Sequence, residues 1–128
     1  MTGTILIADD HPLFRQALAM AASAVRPAAR IVESANLMTA LNEAAAADDL
    51  ILILLDLKMP GAEGYSGVAL LHAEKPGVPI LVVSSADAAQ AARNAVRFGA
   101  DGFLAKDAGL SAIEAAIADC AGLRHAYR

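Results

Sequence analysis

The sequence predicts one α/β domain built on a parallel sheet with helices on both faces. The chain has 128 residues, 57% of them hydrophobic, which suits a single domain with a sizeable core. Five short runs rich in Ile, Val and Leu alternate with segments whose apolar residues recur at helical spacing. Because most of these runs are apolar on both faces, they are typical of strands buried between two helix layers. The predicted order is βαβαβαβαβα, with right-handed crossovers.

The predicted strands differ in their expected burial. Four are apolar throughout: residues 5–7, 50–55, 80–83 and the weaker 102–104. The run 30–34 (Arg-Ile-Val-Glu-Ser) alternates between polar and apolar residues, which indicates a more exposed strand.

Five helices are predicted from apolar stripes. The stripes are Phe14, Leu18, Ala21 and Val25; Leu37, Leu41 and Ala44; Val68 and Leu71; Ala88, Ala92, Ala95 and Val96, stopped by Gly99; and Leu110, Ile113, Ile117 and Cys120. Pro12 occupies a first-turn position of the first helix. Ser111 and Glu114 have capping-box spacing, which predicts that the last helix begins near Ser111.

Composition excludes several classes of protein. The net charge of −4 argues against a DNA-binding domain, which needs a basic surface. The single cysteine cannot form an internal disulfide, and its place on an apolar stripe favours a buried structural thiol over a redox switch. The start lacks a basic region, and no apolar run reaches membrane-spanning length. We therefore expect a cytoplasmic protein with no membrane partner.

Acidic residues end two of the predicted strands. Asp9 and Asp10 follow the first strand, and Asp56 follows the third. In such folds ligands bind at the carboxyl ends of the strands. Asp alone is a common turn residue, but three carboxylates at neighbouring strand ends would repel one another and need a counter-charge. Mg²⁺, which takes oxygen ligands, would supply it.

A hydroxyl and an ammonium group are predicted at the same edge. Ser84 follows the fourth strand and Lys106 follows the fifth. Each is a weak signal alone. Together with the acids they suit covalent phosphoryl chemistry, in which an Asp carboxylate attacks phosphorus and cationic groups neutralise the transferring group.

Four stretches, in this order and at these separations, resemble the receiver domain of two-component response regulators. They are residues 5–12 (ILIADDHP), 54–61 (LLDLKMPG), 82–86 (VVSSA) and 99–107 (GADGFLAKD). The Asp-Asp-His-Pro start and the Lys-Asp after the fifth strand look most like the NarL/FixJ (LuxR-type) subfamily. The resemblance implies a flavodoxin-like (βα)5 three-layer sandwich with strand order 2-1-3-4-5.

The resemblance also implies roles for the acidic residues. Asp56 matches the phosphoacceptor, and Asp10 matches a direct Mg²⁺ ligand. Asp9 would hold the metal through water, and Lys58 would offer its backbone carbonyl as a further ligand.

Three other residues match the switching machinery. Ser84 corresponds to the switch hydroxyl, Phe103 to the aromatic ring whose rotamer changes on activation, and Lys106 to the phosphoryl-binding lysine. The implied domain is a signalling switch that catalyses its own phosphorylation and dephosphorylation. Asp107 follows the lysine, where other receivers commonly have Pro.

The implied partners are a sensor histidine kinase and, as a candidate homodimer surface, the face of the fourth helix, fifth strand and fifth helix. NarL/FixJ proteins usually carry a C-terminal helix-turn-helix domain for transcription regulation, and we expect DNA to bind only through such a domain and not through these 128 residues. We expect residues 1–121 to form the receiver and residues 122–128 to form a tail or the start of a linker.

Three alternatives are considered. An aspartyl-phosphate hydrolase usually needs a second Asp two residues after its nucleophile, where this chain has Lys58. A flavin or nucleotide module needs a phosphate-cradling loop, and no Gly-rich or Walker pattern occurs. A degenerate receiver would lack site residues that are present here. The three histidines have no metal-ligand spacing; His11 is interpreted as capping the helix or lining the site.

Overall fold

The computed structural model describes residues 3–61, 65–85 and 88–122, with no side-chain description for residues 88 and 89. Ala86, the side chain of Ala88 and the tail from Leu123 lie outside the described residues. The fold therefore does not test the predictions made for them. The elements are β1 (Thr4–Ala8), α1 (Pro12–Val25), β2 (Arg30–Ser34), α2 (Leu37–Ala46), β3 (Leu50–Leu55), α3 (Ser66–Glu74), β4 (Ile80–Ser84), α4 (Ala88–Arg97), β5 (Gly102–Ala105) and α5 (Leu110–Ala121).

The strands form one parallel sheet in the order β2-β1-β3-β4-β5, which confirms the predicted topology. Successive side chains of a strand point to opposite faces, so each buried strand feeds two cores. One core lies under α1 and α5 and receives Ile5, Ile7 and Leu54. The other lies under α2, α3 and α4 and receives Leu6, Ile53 and Leu55. The three-layer sandwich follows from this alternation.

The edge strand β2 is partly exposed, as its alternating pattern predicts. None of the helices in the described ranges is both long enough and apolar enough to cross a membrane.

Three expectations about the last two helices are wrong. Val96 and Leu110 are each 60% exposed, although both belong to predicted stripes. The helix α4 instead buries Ala91 and Ala95, and α5 begins one turn before Ile113, its first buried residue. The predicted capping box is not formed. Gly109 is the N-cap and no described side chain caps the helix, because α5 starts at Leu110 and Ser111 already lies inside the first turn.

Cys120 is buried on α5, as predicted. Its Sγ lies 3.0 Å from the position that a Cβ on Gly102 would occupy, so the thiol packs directly against β5. Burial raises the pKa of the thiol to about 11, and the negative charges of Asp101 and Asp119 add to the shift.

The turn between α4 and β5 depends on a glycine, Gly99. This residue has φ +116, and a Cβ there would lie 2.7 Å from Cγ of His72. Gly99→Ala should lower the free energy of unfolding by about 2–4 kcal/mol, because backbone strain and a steric clash add. Gly109 also has positive φ, +96, but no atom described near it lies within 4 Å of such a Cβ. Gly109→Ala should therefore lower the free energy of unfolding only by the backbone strain, about 1–2 kcal/mol. Urea unfolding followed by circular dichroism measures both, and equal losses would contradict the clash.

The buried thiol of Cys120 should react slowly with alkylating reagents. The thiolate is the reactive form, so the raised pKa should slow alkylation by iodoacetamide near pH 8 about 100-fold relative to the urea-unfolded chain. The rate in the folded protein should rise about tenfold per pH unit until the pH approaches the folded pKa. Mass spectrometry over time measures both rates. A folded protein that is alkylated as fast as the unfolded chain would rule out the buried thiol.

Candidate functional site

The predicted acids meet at one edge of the sheet. Ala8 and Leu55 are register partners in the adjacent strands β1 and β3, so the residues that follow these strand ends are brought together. Asp9 and Asp56 are almost completely buried, at 0% and 2% exposure. Asp10 is partly exposed and lies at the rim of the same cluster.

Backbone and side-chain donors hold this acidic cluster in place. Asp9 Oδ1 accepts a hydrogen bond of 2.8 Å from the backbone N–H of His11, and Asp56 Oδ1 accepts one of 3.1 Å from the backbone N–H of Lys58. Arg15 donates from Nη1 to the carbonyl oxygen of Asp9 at 2.9 Å, and its Nε donates to Glu33 Oε1 at 2.9 Å. The first turn of α1 is thereby tied to both the acidic loop and the edge strand.

Lys106 reaches the cluster from the end of β5. Its Nζ lies 3.0 Å from Asp9 Oδ2 and 3.2 Å from Asp56 Oδ2. The same ammonium group lies 4.7 Å from the ring centroid of Phe14, a cation–π contact that fixes the end of the long side chain. The ammonium group of Lys106 thus contacts the carboxylates that follow two adjacent strands, β1 and β3.

Ser84 ends β4, the strand between β3 and β5, and Phe103 lies on β5, the strand that leads into Lys106. Ser84 is fully buried, and its Oγ has no hydrogen-bond partner among the described residues. Because β4 lies between β3 and β5, this hydroxyl is placed between the strand of Asp56 and that of Lys106. Phe103 lies opposite Val82 and packs, partly buried, against the core under α4.

The residues present fit a divalent cation. Asp9, Asp10, His11 and Asp56 each offer one ligand atom, and these atoms lie within 4.8 Å of one another. Two buried carboxylate oxygens, Asp9 Oδ2 and Asp10 Oδ1, have ionic contacts but accept no hydrogen bond from any described residue. Hard oxygen donors of this kind suit Mg²⁺, Ca²⁺ or Mn²⁺.

Of two further residues at this edge, the sequence places His11 only in general terms and does not indicate Arg15. His11 was interpreted as capping the helix or lining the site. Its imidazole forms no capping bond with the described part of α1, and it does line the site. Arg15 was not singled out at all, although its position four residues after His11 places it on the same side of the first turn.

An open cavity of about 460 Å³ adjoins the acidic cluster, and two of the residues that line it, His11 and Lys106, contact the acids. It is lined by His11, Pro12, Leu13, Phe14, Ser85 and Lys106. Its wall is largely apolar and exposed, with Leu13 83% accessible. The cluster is therefore open to a reactant from the side of α1.

Comparison with known proteins agrees with the geometry. A sequence profile of the response regulator receiver domain matches residues 5–118. The glycerol metabolism activator of Pseudomonas putida is 42% identical over 113 residues, which make up 88% of this chain and 51% of that protein. The chain spans about half the length of the curated relatives it matches.

Two solved structures are similar as well. The signal receiver domain of a NarL response regulator from Mycobacterium tuberculosis is 32% identical, with 94% of this chain and 96% of that chain covered and a TM-score of 0.79. A response regulator from Burkholderia pseudomallei, solved with a phosphorylated aspartic acid, a calcium ion and citrate, is 31% identical over 90% of this chain and 66% of that chain, with a TM-score of 0.76. Because the profile covers most of the chain and the fold and acidic edge agree with it, the chain belongs to the response regulator receiver domain family.

Proposed function

We propose that this chain is a phosphorylation-controlled switch in which Asp56 accepts a phosphoryl group from a sensor histidine kinase. The observation that carries the proposal is the position of Lys106. Its ammonium group contacts the carboxylates of Asp9 and Asp56 at 3.0 and 3.2 Å, and the adjacent strand ends in Ser84, whose hydroxyl has no hydrogen-bond partner among the described residues. A nucleophile, a cation and a free hydroxyl donor are the groups that a transferring phosphoryl oxygen needs.

In the proposed transfer, an Asp56 oxygen forms a bond to phosphorus as the phosphorus–nitrogen bond of phosphohistidine breaks. The bond pair returns to the histidine nitrogen. The ammonium group of Lys106 neutralises charge on the phosphoryl oxygens, and Ser84 donates its hydroxyl hydrogen to one of them.

We assign the metal of this site as Mg²⁺. Asp10 and Asp56 would bind it directly, Asp9 through water, and Lys58 through its backbone carbonyl. When bound, the cation supplies charge neutralisation to the phosphoryl group. The same residues would let the domain catalyse its own phosphorylation and dephosphorylation.

The output of the proposed switch follows from the position of Ser84 and Phe103 on adjacent strands. Movement of the Ser84 hydroxyl toward the phosphoryl group lets the Phe103 ring turn inward, which changes the face of α4, β5 and α5. We propose that this face pairs two copies of the chain. The controlled output would be a helix-turn-helix domain that binds DNA, with residues 1–121 as the receiver. The cytoplasmic location stays a prediction.

The acceptor role predicts a single phosphoryl adduct. Acetyl phosphate with Mg²⁺ should add one phosphoryl group to the protein, and the adduct should disappear in Asp56→Asn or after chelation of the metal. Intact-mass spectrometry measures it. Asp48→Asn is the matched control, because Asp48 is an exposed acid at the opposite end of β3. The adduct should persist in that variant. If the folded protein forms neither an adduct nor a beryllofluoride complex, Asp56 is not a working acceptor.

Replacement of Ser84 by Ala should stabilise the unphosphorylated protein but reduce the stabilisation that a phosphoryl mimic provides. A buried hydroxyl without a partner costs free energy, so Ser84→Ala should stabilise the unphosphorylated protein by about 1 kcal/mol. The same variant should show a smaller rise in Tm than the native protein when beryllofluoride and Mg²⁺ are added, since its donor to the phosphoryl mimic is gone.

Ser34 provides the control for this experiment. Its Oγ is also buried without a hydrogen-bond partner among the described residues, but it lies on the edge strand β2. Ser34→Ala should stabilise the protein to a similar degree and keep the full beryllofluoride response. A full response in Ser84→Ala would remove the hydroxyl from the proposed switch.

A further inference from the structure

The imidazole of His11 lies among the carboxylates of the site. Its Nδ1 is 3.1 Å from Asp9 Oδ1, 3.2 Å from Asp10 Oδ1 and 3.7 Å from Asp56 Oδ2. The same nitrogen lies 3.0 Å from Lys106 Nζ. One ring nitrogen therefore contacts one oxygen of each of the three acids and the ammonium group of Lys106.

These four contacts cannot all be favourable at once. A ring nitrogen carries either one proton or one lone pair. With a proton, Nδ1 can donate to the acids but faces the N–H bonds of Lys106. With a lone pair, it can accept from Lys106 but faces the lone pairs of the carboxylates. A cation between the acids and the ring resolves this conflict, because the ring, Asp10 and Asp56 can then direct lone pairs at one centre, with Asp9 acting through a water.

The backbone holds His11 in this position. Its N–H donates to Asp9 Oδ1 at 2.8 Å, and its carbonyl accepts from the N–H of Arg15 at 2.8 Å, so the residue is fixed at both sides of its Cα. The side chain is 61% exposed. The ring can thus approach a bound ion while the other side of the ion stays open to water and to a phosphoryl oxygen.

We propose that His11 is a nitrogen ligand of the divalent cation and that it shifts the site toward metals that favour imidazole. This inference rests on the metal site proposed above. Carboxylate and water suit Mg²⁺, whereas imidazole suits first-row transition metals such as Co²⁺ and Ni²⁺. Three carboxylates and one imidazole within 4.8 Å of one another form a mixed oxygen–nitrogen set. The site should then bind Co²⁺ more tightly than Mg²⁺, and removal of the His11 imidazole should reduce this difference in affinity.

Isothermal titration of the 128-residue protein with CoCl₂ and separately with MgCl₂ tests the proposal. His11→Phe keeps a ring of similar size and removes both nitrogens, and His11→Ala removes the ring. Loss of a direct ligand should weaken Co²⁺ binding at least as much as loss of an outer-shell partner, roughly tenfold or more. Mg²⁺ retains several waters, so a water can replace the ring, and we expect a change of less than about threefold.

Two further variants separate the possible failures. Asp10→Asn should weaken both metals, and if it leaves Mg²⁺ binding unchanged, the proposed metal site itself fails. His72 is an exposed histidine on α3, and His72→Ala should leave Co²⁺ binding unchanged. If Asp10→Asn weakens both metals while the two His11 variants bind Co²⁺ as tightly as the native protein or more tightly, the ring is not a ligand and only this inference is overturned. A loss of Co²⁺ affinity in His72→Ala equal to that in His11→Ala would also overturn it, because the nitrogen effect would then be adventitious.

Discussion

The contact between Lys106 and the two buried carboxylates is the constraint on which the rest of the site depends. Asp9 and Asp56 are almost fully removed from water, and burying an uncompensated carboxylate costs several kcal/mol. Three carboxylates and one ammonium group still leave a formal excess of two negative charges when His11 is neutral. Among the described residues the acids are therefore compensated only in part, and a divalent cation is the ligand whose charge completes the compensation.

The parallel sheet makes this arrangement possible and also limits its stability. Crossover connections carry every strand end to the same edge, so residues 9, 56, 84 and 106 meet although they are far apart in sequence. The cost appears as buried polar atoms that have no hydrogen-bond partner among the described residues, namely Ser84 Oγ, Asp9 Oδ2 and Asp10 Oδ1. Buried polar groups are normally satisfied, so this concentration at one edge indicates that ligand binding, rather than folding alone, accounts for these residues.

The positions of the buried strands and the acids at the edge of the sheet could be predicted from strong local signals, whereas the strand order was implied by the resemblance to a known family. Buried strands are long apolar runs, and the residues after them lie at the binding edge whatever the details of packing. The buried faces of the helices were harder to predict. Leu110 matches the periodicity of α5 but lies in its first turn, before the helix packs against the sheet. The roles of His11 and Arg15 depend on side-chain directions within one turn of α1, and residue spacing does not specify those directions.

The packing of α4 differs from that of α5 in a way that bears on the proposed switch. Among the side chains described for α4, the fully buried ones are Ala91 and Ala95, whereas α5 buries Ile113, Ile117 and Cys120. Alanine contributes few dispersion contacts and little buried area, so a shift of α4 sacrifices less packing energy than a shift of α5. Phe103 packs in the same core as those two alanines. In the proposed switch, a ring movement at that position would act on the helix that resists displacement less, and α5 would keep its place on the opposite face of the sheet.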